Sequence, residues 1–341
     1  MTINGASPTR PEIEAARLLL DRLGISPEQL LDAGSEVPVP TFGEYIPHVV
    51  KAVGSGTVRV YQTYWRRVET QWGDRKLDEP TATEIEEFAG NARINAVVRG
   101  NARGGHLAAE HTIAALRCLY RHAIADGILP ERGNTALRVD KPRRLESSRR
   151  ALLDSQLAEI NRIAGTTGND RDLDSLLVRL HVETACRRGG ALALRKIDLD
   201  RDHSLIRLRE KGGTERWQPV SPTLMRHLLL HHARRGQGVE QGQLLRYANG
   251  NPITRRRYDH LWRRSGEHLP WVATHQVSTH WLRHTTLTWV ERHFGYAVAR
   301  AFAGHNGRTD FGVTATYVRA SLYEVAATVS ALTGEPHPLA I

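Results

Sequence analysis

The sequence predicts a mainly α-helical protein of two domains, with a small antiparallel sheet in the second. Three observations carry this expectation. The chain has 341 residues, more than one average domain needs. In its first half, the helix-opening signatures Thr41-Phe-Gly-Glu44 and Thr81-Ala-Thr-Glu84 precede apolar residues at helical spacing. In its second half, helical periodicity is interrupted by β-like runs around Lys211-Gly-Gly213, the pattern of a hairpin.

Residues 1–36 read as a helical leader, because Pro11-Glu-Ile-Glu14 opens with a proline and acids. Residues 37–137 read as a compact helical domain. Ser55 is expected to cap a second helix carrying Val58, Tyr61, Tyr64 and Val68, and Ile85 and Phe88 follow the Thr81 signature. A long helix is expected over His106–Ala125, with Ile113, Leu116, Leu119, Tyr120 and Ala123 inward and Gly127 as its stop. The Arg- and Gly-rich segment Asn91–Gly105 reads as a loop, either near nucleic acid or solvated. Residues 138–150, with Lys141-Pro-Arg-Arg144, read as a basic linker that lies along phosphates or in solvent.

The second domain is expected over 151–341. Asp154 is read as the cap of a helix carrying Leu157, Ile160 and Ile163, and Ser175–Thr184 as an apolar helix. Lys196–Leu199, Ser204–Leu208 and Trp217–Val220 are β-like, and helices resume from Pro222. A last amphipathic helix, Leu322–Leu332, places Val325, Ala326, Val329 and Leu332 on one face.

Lys and Arg total 47 against 37 Asp and Glu, a net charge of +10. Such a balance points to nucleic acid as partner. Arg outnumbers Lys, and its planar fork suits phosphate. Cys118 and Cys186, the only cysteines, sit in apolar helix-like runs. They read as buried reduced thiols of a cytoplasmic protein rather than as a disulfide or metal site. The polar N-terminus lacks a signal peptide's apolar core, and no run is apolar enough to span a bilayer.

Four separated motifs line up in the second domain: Thr184-Ala-Cys-Arg187-Arg-Gly-Gly-Ala-Leu192; Glu210-Lys211-Gly-Gly213; His280-Trp-Leu-Arg283-His284; and Gly304-His305 followed by Thr314-Ala-Thr-Tyr317. In this order, after a helical domain, they resemble the motifs of tyrosine recombinases of the phage integrase type. The first matches that family's first-arginine motif and the second its lysine-bearing strand turn. The third matches its His-x-x-Arg, and the last its Gly-His and nucleophile. The resemblance covers roughly residues 40–330. It implies a SAM-like core-binding domain followed by a tyrosine-recombinase catalytic domain, closing as a C-shaped clamp on DNA. It also implies a site-specific recombinase of the integrase or mobile-element type, working through a 3′-phosphotyrosine intermediate. Two other readings stay open: a catalytically silent DNA-binding protein of the same fold, and a type IB topoisomerase-like nicking enzyme.

The chemistry asks for these residue types. Attack on a phosphodiester builds charge on the phosphate oxygens, and fixed cations must stabilise it. Arg187 and Arg283 suit that task through bidentate contacts. The phenol of Tyr317, with a reference pKa of about 10, is a weak nucleophile until a base or cations activate it. His280 is the expected base or proton shuttle, Lys211 the expected acid for the leaving 5′ oxygen, and His305 a hydrogen-bond partner of the phosphate. Because the phosphotyrosine conserves bond energy, no ATP, metal or cofactor is implied. His280 and His284 have the spacing of a zinc pair but lack the His-Glu-x-x-His pattern and a third ligand. His227, His231 and His232 read as surface or internally satisfied histidines, and Arg188 as structural or a DNA contact.

The expected partners are double-stranded DNA, further copies of the chain in a tetramer on DNA, and an accessory DNA-bending or directionality protein. No membrane is expected, and the protein is expected at the nucleoid when bound. The C-terminal helix would dock on a neighbouring protomer, as the resemblance implies, or on its own domain. One departure stands out. The family often carries an acid three positions after the first arginine, and that position here is Gly190, which puts local helix stability in question.

Overall fold

The helices begin where the chain supplies partners for their first amide groups. The computed structural model describes residues 9–26, 38–97, 103–143, 150–210, 213–236, 238–304 and 320–340. Its contacts separate two units, Met1–Glu146 and Ser147–Ile341.

In the first unit, α1 (Arg10–Leu23) buries no residue and leaves Leu18, Leu19 and Leu23 exposed. Helix α2 (Phe42–Ala52) opens with a reciprocal cap: the Glu44 amide donates to Thr41 Oγ1 at 3.3 Å, and the Thr41 amide donates to Glu44 Oε2 at 2.9 Å. Helix α3 (Ser55–Trp72) is capped by Gly54 rather than Ser55, whose residue is already helical. Glycine serves as an N-cap at little cost compared with serine. Helix α4 (Ala82–Ile94) repeats the reciprocal cap with Thr81 and Glu84.

The helix α4 extends into the segment expected as loop. Ala92 is buried there, and the Asn95 amide and side chain both close on the Asn91 carbonyl. Residues 98–102 lie outside the described residues. Helix α5 (His106–Ala125) carries Ile113, Leu116, Leu119, Tyr120 and Ala123 into the core, and Gly127 turns away with φ +71°. The core is completed by Phe42, Trp65, Trp72 and Phe88, with the Trp65 indole donating to the Ala115 carbonyl at 3.0 Å.

In the second unit, Leu153 is the N-cap of α6 (Asp154–Thr166), and Asp154 is its first helical residue, where a carboxylate still favours the positive helix end. Asp170 caps α7 (Arg171–Thr184), and the short α8 (Arg188–Leu192) follows. Strands β1 (Leu199–Asp200), β2 (Leu205–Arg209) and β3 (Glu215–Pro219) form an antiparallel sheet in that order, with Arg207 opposite Trp217 and Arg209 opposite Glu215. Most of the Lys196–Leu199 run, expected as strand, is a 3-10 turn over Lys196–Asp198. The buried Asp198 carboxylate explains it: it accepts the Arg195 amide at 3.0 Å and pairs with Arg207 and Arg209.

Helices α9 (Pro222–Arg235), α10 (Arg255–His268) and α11 (Pro270–His275) precede α12 (Thr279–Ala303), which is broken at Gly295 with φ +82° and ψ 171°. Helix α13 (Leu322–Thr333) packs Val325, Val329 and Leu332 against α12 of its own unit and also buries Ala326. The tail beyond it is tied down as well: Glu335 accepts from Arg179 at 2.9 Å and from the Thr223 amide at 3.0 Å. The protein is therefore mainly helical with one small antiparallel sheet. Among the described residues, no helix is long and apolar enough to cross a membrane.

Asp174 on α7 is fully buried, accepts from Arg257 Nε at 2.7 Å and pairs with Arg264, so it fastens α7 to α10. Removing the carboxylate takes the buried anion from both guanidinium groups and leaves Arg257 with Asn169 and the Asp170 carbonyl and Arg264 with Thr167. Asp174→Ala is expected to lower the unfolding free energy in denaturant titration by about 3–5 kcal/mol. A loss below about 1 kcal/mol, the range of an exposed pair, would remove Asp174 from that role.

Candidate active site

Two helix ends and one hairpin gather three guanidinium groups, two of which pair with the same carboxylate. Helix α7 ends at Ala185, which adopts the left-handed conformation with φ +48°. The chain then straightens, and Arg187 becomes the N-cap of α8. The Arg187 amide donates to Glu210 Oε1 at 2.6 Å, and its Nη1 donates to Glu210 Oε2 at 2.7 Å. Glu210 directly follows β2. From β3, Arg216 Nη1 donates to the same Oε2 at 2.9 Å.

Arg283 enters from the first turns of α12 and is only 4% exposed. Its guanidinium donates to the Ala185 carbonyl and, at 2.8 Å, to the Ala303 carbonyl. Arg216 also reaches the Ala303 carbonyl, at 3.4 Å, and the Thr184 carbonyl at 3.2 Å. These carbonyls stand at the last turns of α7 and α12, where helical partners run out. Their partial negative charge makes them suitable seats for buried cations.

Gly304 ends α12 with φ +69°, and a Cβ there would stand 2.3 Å from Arg216 Nη1. Glycine at this position therefore serves both the left-handed turn and the approach of Arg216.

The electrostatics follow from this crowding. Burial, and next the nearby Arg187, pull the Arg283 pKa down to about 10, so it stays charged at neutral pH. Burial works to raise the Glu210 carboxyl. Arg216, the Arg187 amide, Arg283 and Arg187 outweigh it, and the pKa lies below the usual carboxylate value. Burial lowers the Arg216 pKa, opposed by Glu210. Burial pushes the adjacent Cys186 thiol up to about 11, so it stays protonated and unreactive.

The structure thus brings Arg187 and Arg283 together. His280 sits exposed in the first turn of α12, three residues before Arg283 and so on the same side of the helix. Lys211, His305 and Tyr317 lie outside the described residues. Glu210 and Arg216 were not expected from the sequence. Two signals pointed to them: a short helix opening on Arg187 with no acid in its first turn, and one acid after the basic run Arg207–Arg209. Of the other histidines, His231 and His232 are buried, and His231 Nε2 accepts the Arg246 amide at 3.1 Å. Among the described residues, no group of three or more His, Cys, Asp or Glu is placed to hold a metal ion.

The phage integrase family model matches residues 150–321, half of the chain, and spans Arg187, Glu210, Arg216, His280 and Arg283. The chain belongs to the phage integrase family of tyrosine recombinases.

Its relatives agree. Tyrosine recombinase XerD of Mycobacterium leprae (strain TN) is 25% identical over 261 residues, covering 72% of this chain and 81% of the relative. Tyrosine recombinase XerC of Chlamydia caviae is 32% identical over 120 residues, covering 32% of this chain and 38% of the relative. Among solved structures, a lambda integrase tetramer bound to a Holliday junction matches with a TM-score of 0.61 at 16% identity, over 93% of this chain and 88% of that one. The Tn1549 transposon integrase in complex with transposon right end DNA matches with a TM-score of 0.63 at 15% identity, over 86% of this chain and 99% of that one. At these identities the structural likeness speaks to the fold: a mainly helical chain whose second unit carries the small antiparallel sheet.

Gly304→Ala is expected to destabilise the protein in denaturant unfolding by more than the roughly 1–2 kcal/mol of a left-handed alanine, because Arg216 must also move. A variant as stable as the parent would mean that Arg216 is not held against Gly304.

Proposed function

We propose that this recombinase cuts and rejoins double-stranded DNA at specific sites through a 3′-phosphotyrosine intermediate, as an integrase or mobile-element enzyme. The observation that carries the proposal is the gathering of the half-exposed Arg187 and the buried Arg216 and Arg283 at Glu210, the carboxylate that, among the described residues, pairs with Arg187 and Arg216. A site with such an excess of positive charge is prepared for an anion, and a phosphodiester is the anion that the net charge of +10 favours.

In the proposed reaction, the Tyr317 oxygen attacks phosphorus and the bond from phosphorus to the 5′ oxygen breaks. The phenol proton passes to His280, and Lys211 supplies a proton to the leaving 5′ oxygen. Arg187 and Arg283 hold the nonbridging oxygens as charge builds on them, with His305 donating a further hydrogen bond. A 5′ hydroxyl from a second strand reverses these steps, so neither ATP nor a metal enters the balance. The first unit would contribute phosphate contacts on the duplex.

Support for DNA and for assembly comes from the relatives' own complexes: a lambda integrase tetramer on a Holliday junction and the Tn1549 integrase on transposon end DNA. By the first likeness the active form is a tetramer on DNA. An accessory DNA-bending or directionality protein is proposed with it on the family resemblance alone.

Tyr317→Phe is expected to abolish strand cleavage while DNA affinity, read by gel shift at fixed salt, stays near the parent value. Cleavage by this variant would move the nucleophile elsewhere. Lys211→Ala is expected to slow cleavage and to recover on DNA with a 5′-bridging sulfur, whose thiolate leaves without a proton. No recovery would take the acid role away from Lys211.

A further inference from the structure

We propose that Glu210 is the positioning acid for Arg187, doing from the end of β2 what an acid at Gly190 would do from within α8. This rests on the strand-cleavage reading above, in which Arg187 holds the scissile phosphate.

The argument begins with the helix start. Arg187 is the N-cap of α8, so Gly190 is its N3 position. An acid at N3 reaches back to the N-cap amide and satisfies it. Here that amide is satisfied instead by Glu210 Oε1 at 2.6 Å, while Oε2 takes the guanidinium at 2.7 Å. One carboxylate thereby fixes both ends of Arg187, its backbone and its charge, and its contact to Arg216 fixes the carboxylate in turn.

The space confirms the exchange of roles. A Cβ on Gly190 would stand 3.1 Å from Glu210 Cγ, 3.3 Å from its Oε1 and 3.4 Å from the Arg209 carbonyl. An N3 side chain would therefore crowd Glu210, which must give by a few tenths of an ångström, so the two carboxylates compete for the same room.

The new location has a consequence that an N3 acid lacks. The Glu210 amide donates to the Thr214 carbonyl at 2.8 Å, and Lys211 follows Glu210 in the sequence. Glu210 therefore anchors Arg187 and, through Thr214, the chain position directly before Lys211 at a single residue. Substituting it disturbs both, whereas an acid at N3 restores only the hold on Arg187.

The test compares the parent with Glu210→Gln, Glu210→Gly, Gly190→Glu and the swap Gly190→Glu/Glu210→Gly, all as full chains. The substrate is the duplex recovered from parental covalent complexes. Single-turnover cleavage, DNA affinity and thermal unfolding are read on each. Displacing a positioned group by an ångström slows a reaction on the order of 10²-fold, and that loss is expected for each single variant. DNA affinity should stay within about 3-fold, since the loss falls on the transition state. The swap is expected to cleave at least about 10-fold faster than either Glu210→Gly or Gly190→Glu, because contacting residues are not additive.

A swap no faster than the single variants, or Glu210→Gly at the parental rate, overturns the inference. A parent that forms no covalent complex with genomic DNA of its host overturns the cleavage reading instead. The inference is then judged by melting alone, and a swap that melts no higher than both singles overturns it too.

Discussion

The second unit is organised around a charge problem. Arg216 and Arg283 are buried beside the half-exposed Arg187, and among the described residues Glu210 supplies the carboxylate that meets Arg187 and Arg216 directly. Breaking a buried pair from one side is costly, on the order of 3–5 kcal/mol, because an uncompensated charge remains. One carboxylate does not neutralise three guanidinium groups. The remainder is met by the carbonyls of Thr184, Ala185 and Ala303 at two helix ends. Dipoles stabilise a cation without cancelling its charge, so among the described residues the cluster is net positive. That combination, stable cations with an unfilled demand for negative charge, suits the binding of a phosphate.

The same constraint explains the local backbone. Helices α7 and α12 must stop where their last carbonyls face the arginines, and each stops on a left-handed residue, Ala185 and Gly304. At Gly304 the close approach of Arg216 leaves no room for a side chain. Thus the Gly of the Gly-His pair has a structural reason apart from any reaction step. The departure at Gly190 is likewise resolved by packing: the carboxylate is present, delivered by the hairpin rather than by the helix.

Much of this was legible in the sequence, because the signals were local. Thr41 with Glu44 and Thr81 with Glu84 are caps three residues apart, and the β-like runs on either side of Lys211-Gly-Gly213 pair as strands. Arg187 and Arg283 were found through short motifs. The misplaced boundaries came from small local competitions: Gly54 capping in place of Ser55, Leu153 in place of Asp154, and the Asp198 carboxylate holding Lys196–Asp198 in a turn instead of a strand. Glu210 and Arg216 were missed for a different reason. Their partners are distant in the chain, with Glu210 meeting Arg187 across 23 positions and Arg216 meeting Ala303 across 87. No periodicity records such pairings. Lys211, His305 and Tyr317 lie outside the described residues, and their place in the site rests on motif order and the reaction's needs.

The most direct test of the central claim is to trap the intermediate. The protein is expressed in its host and denatured rapidly, and protein-linked DNA is isolated. The DNA is sequenced, and the modified peptide is mapped by mass spectrometry. The account predicts a phosphotyrosyl adduct on Tyr317, carried by DNA with a common sequence at the broken end. An adduct on another residue, or DNA binding without any adduct, would contradict it.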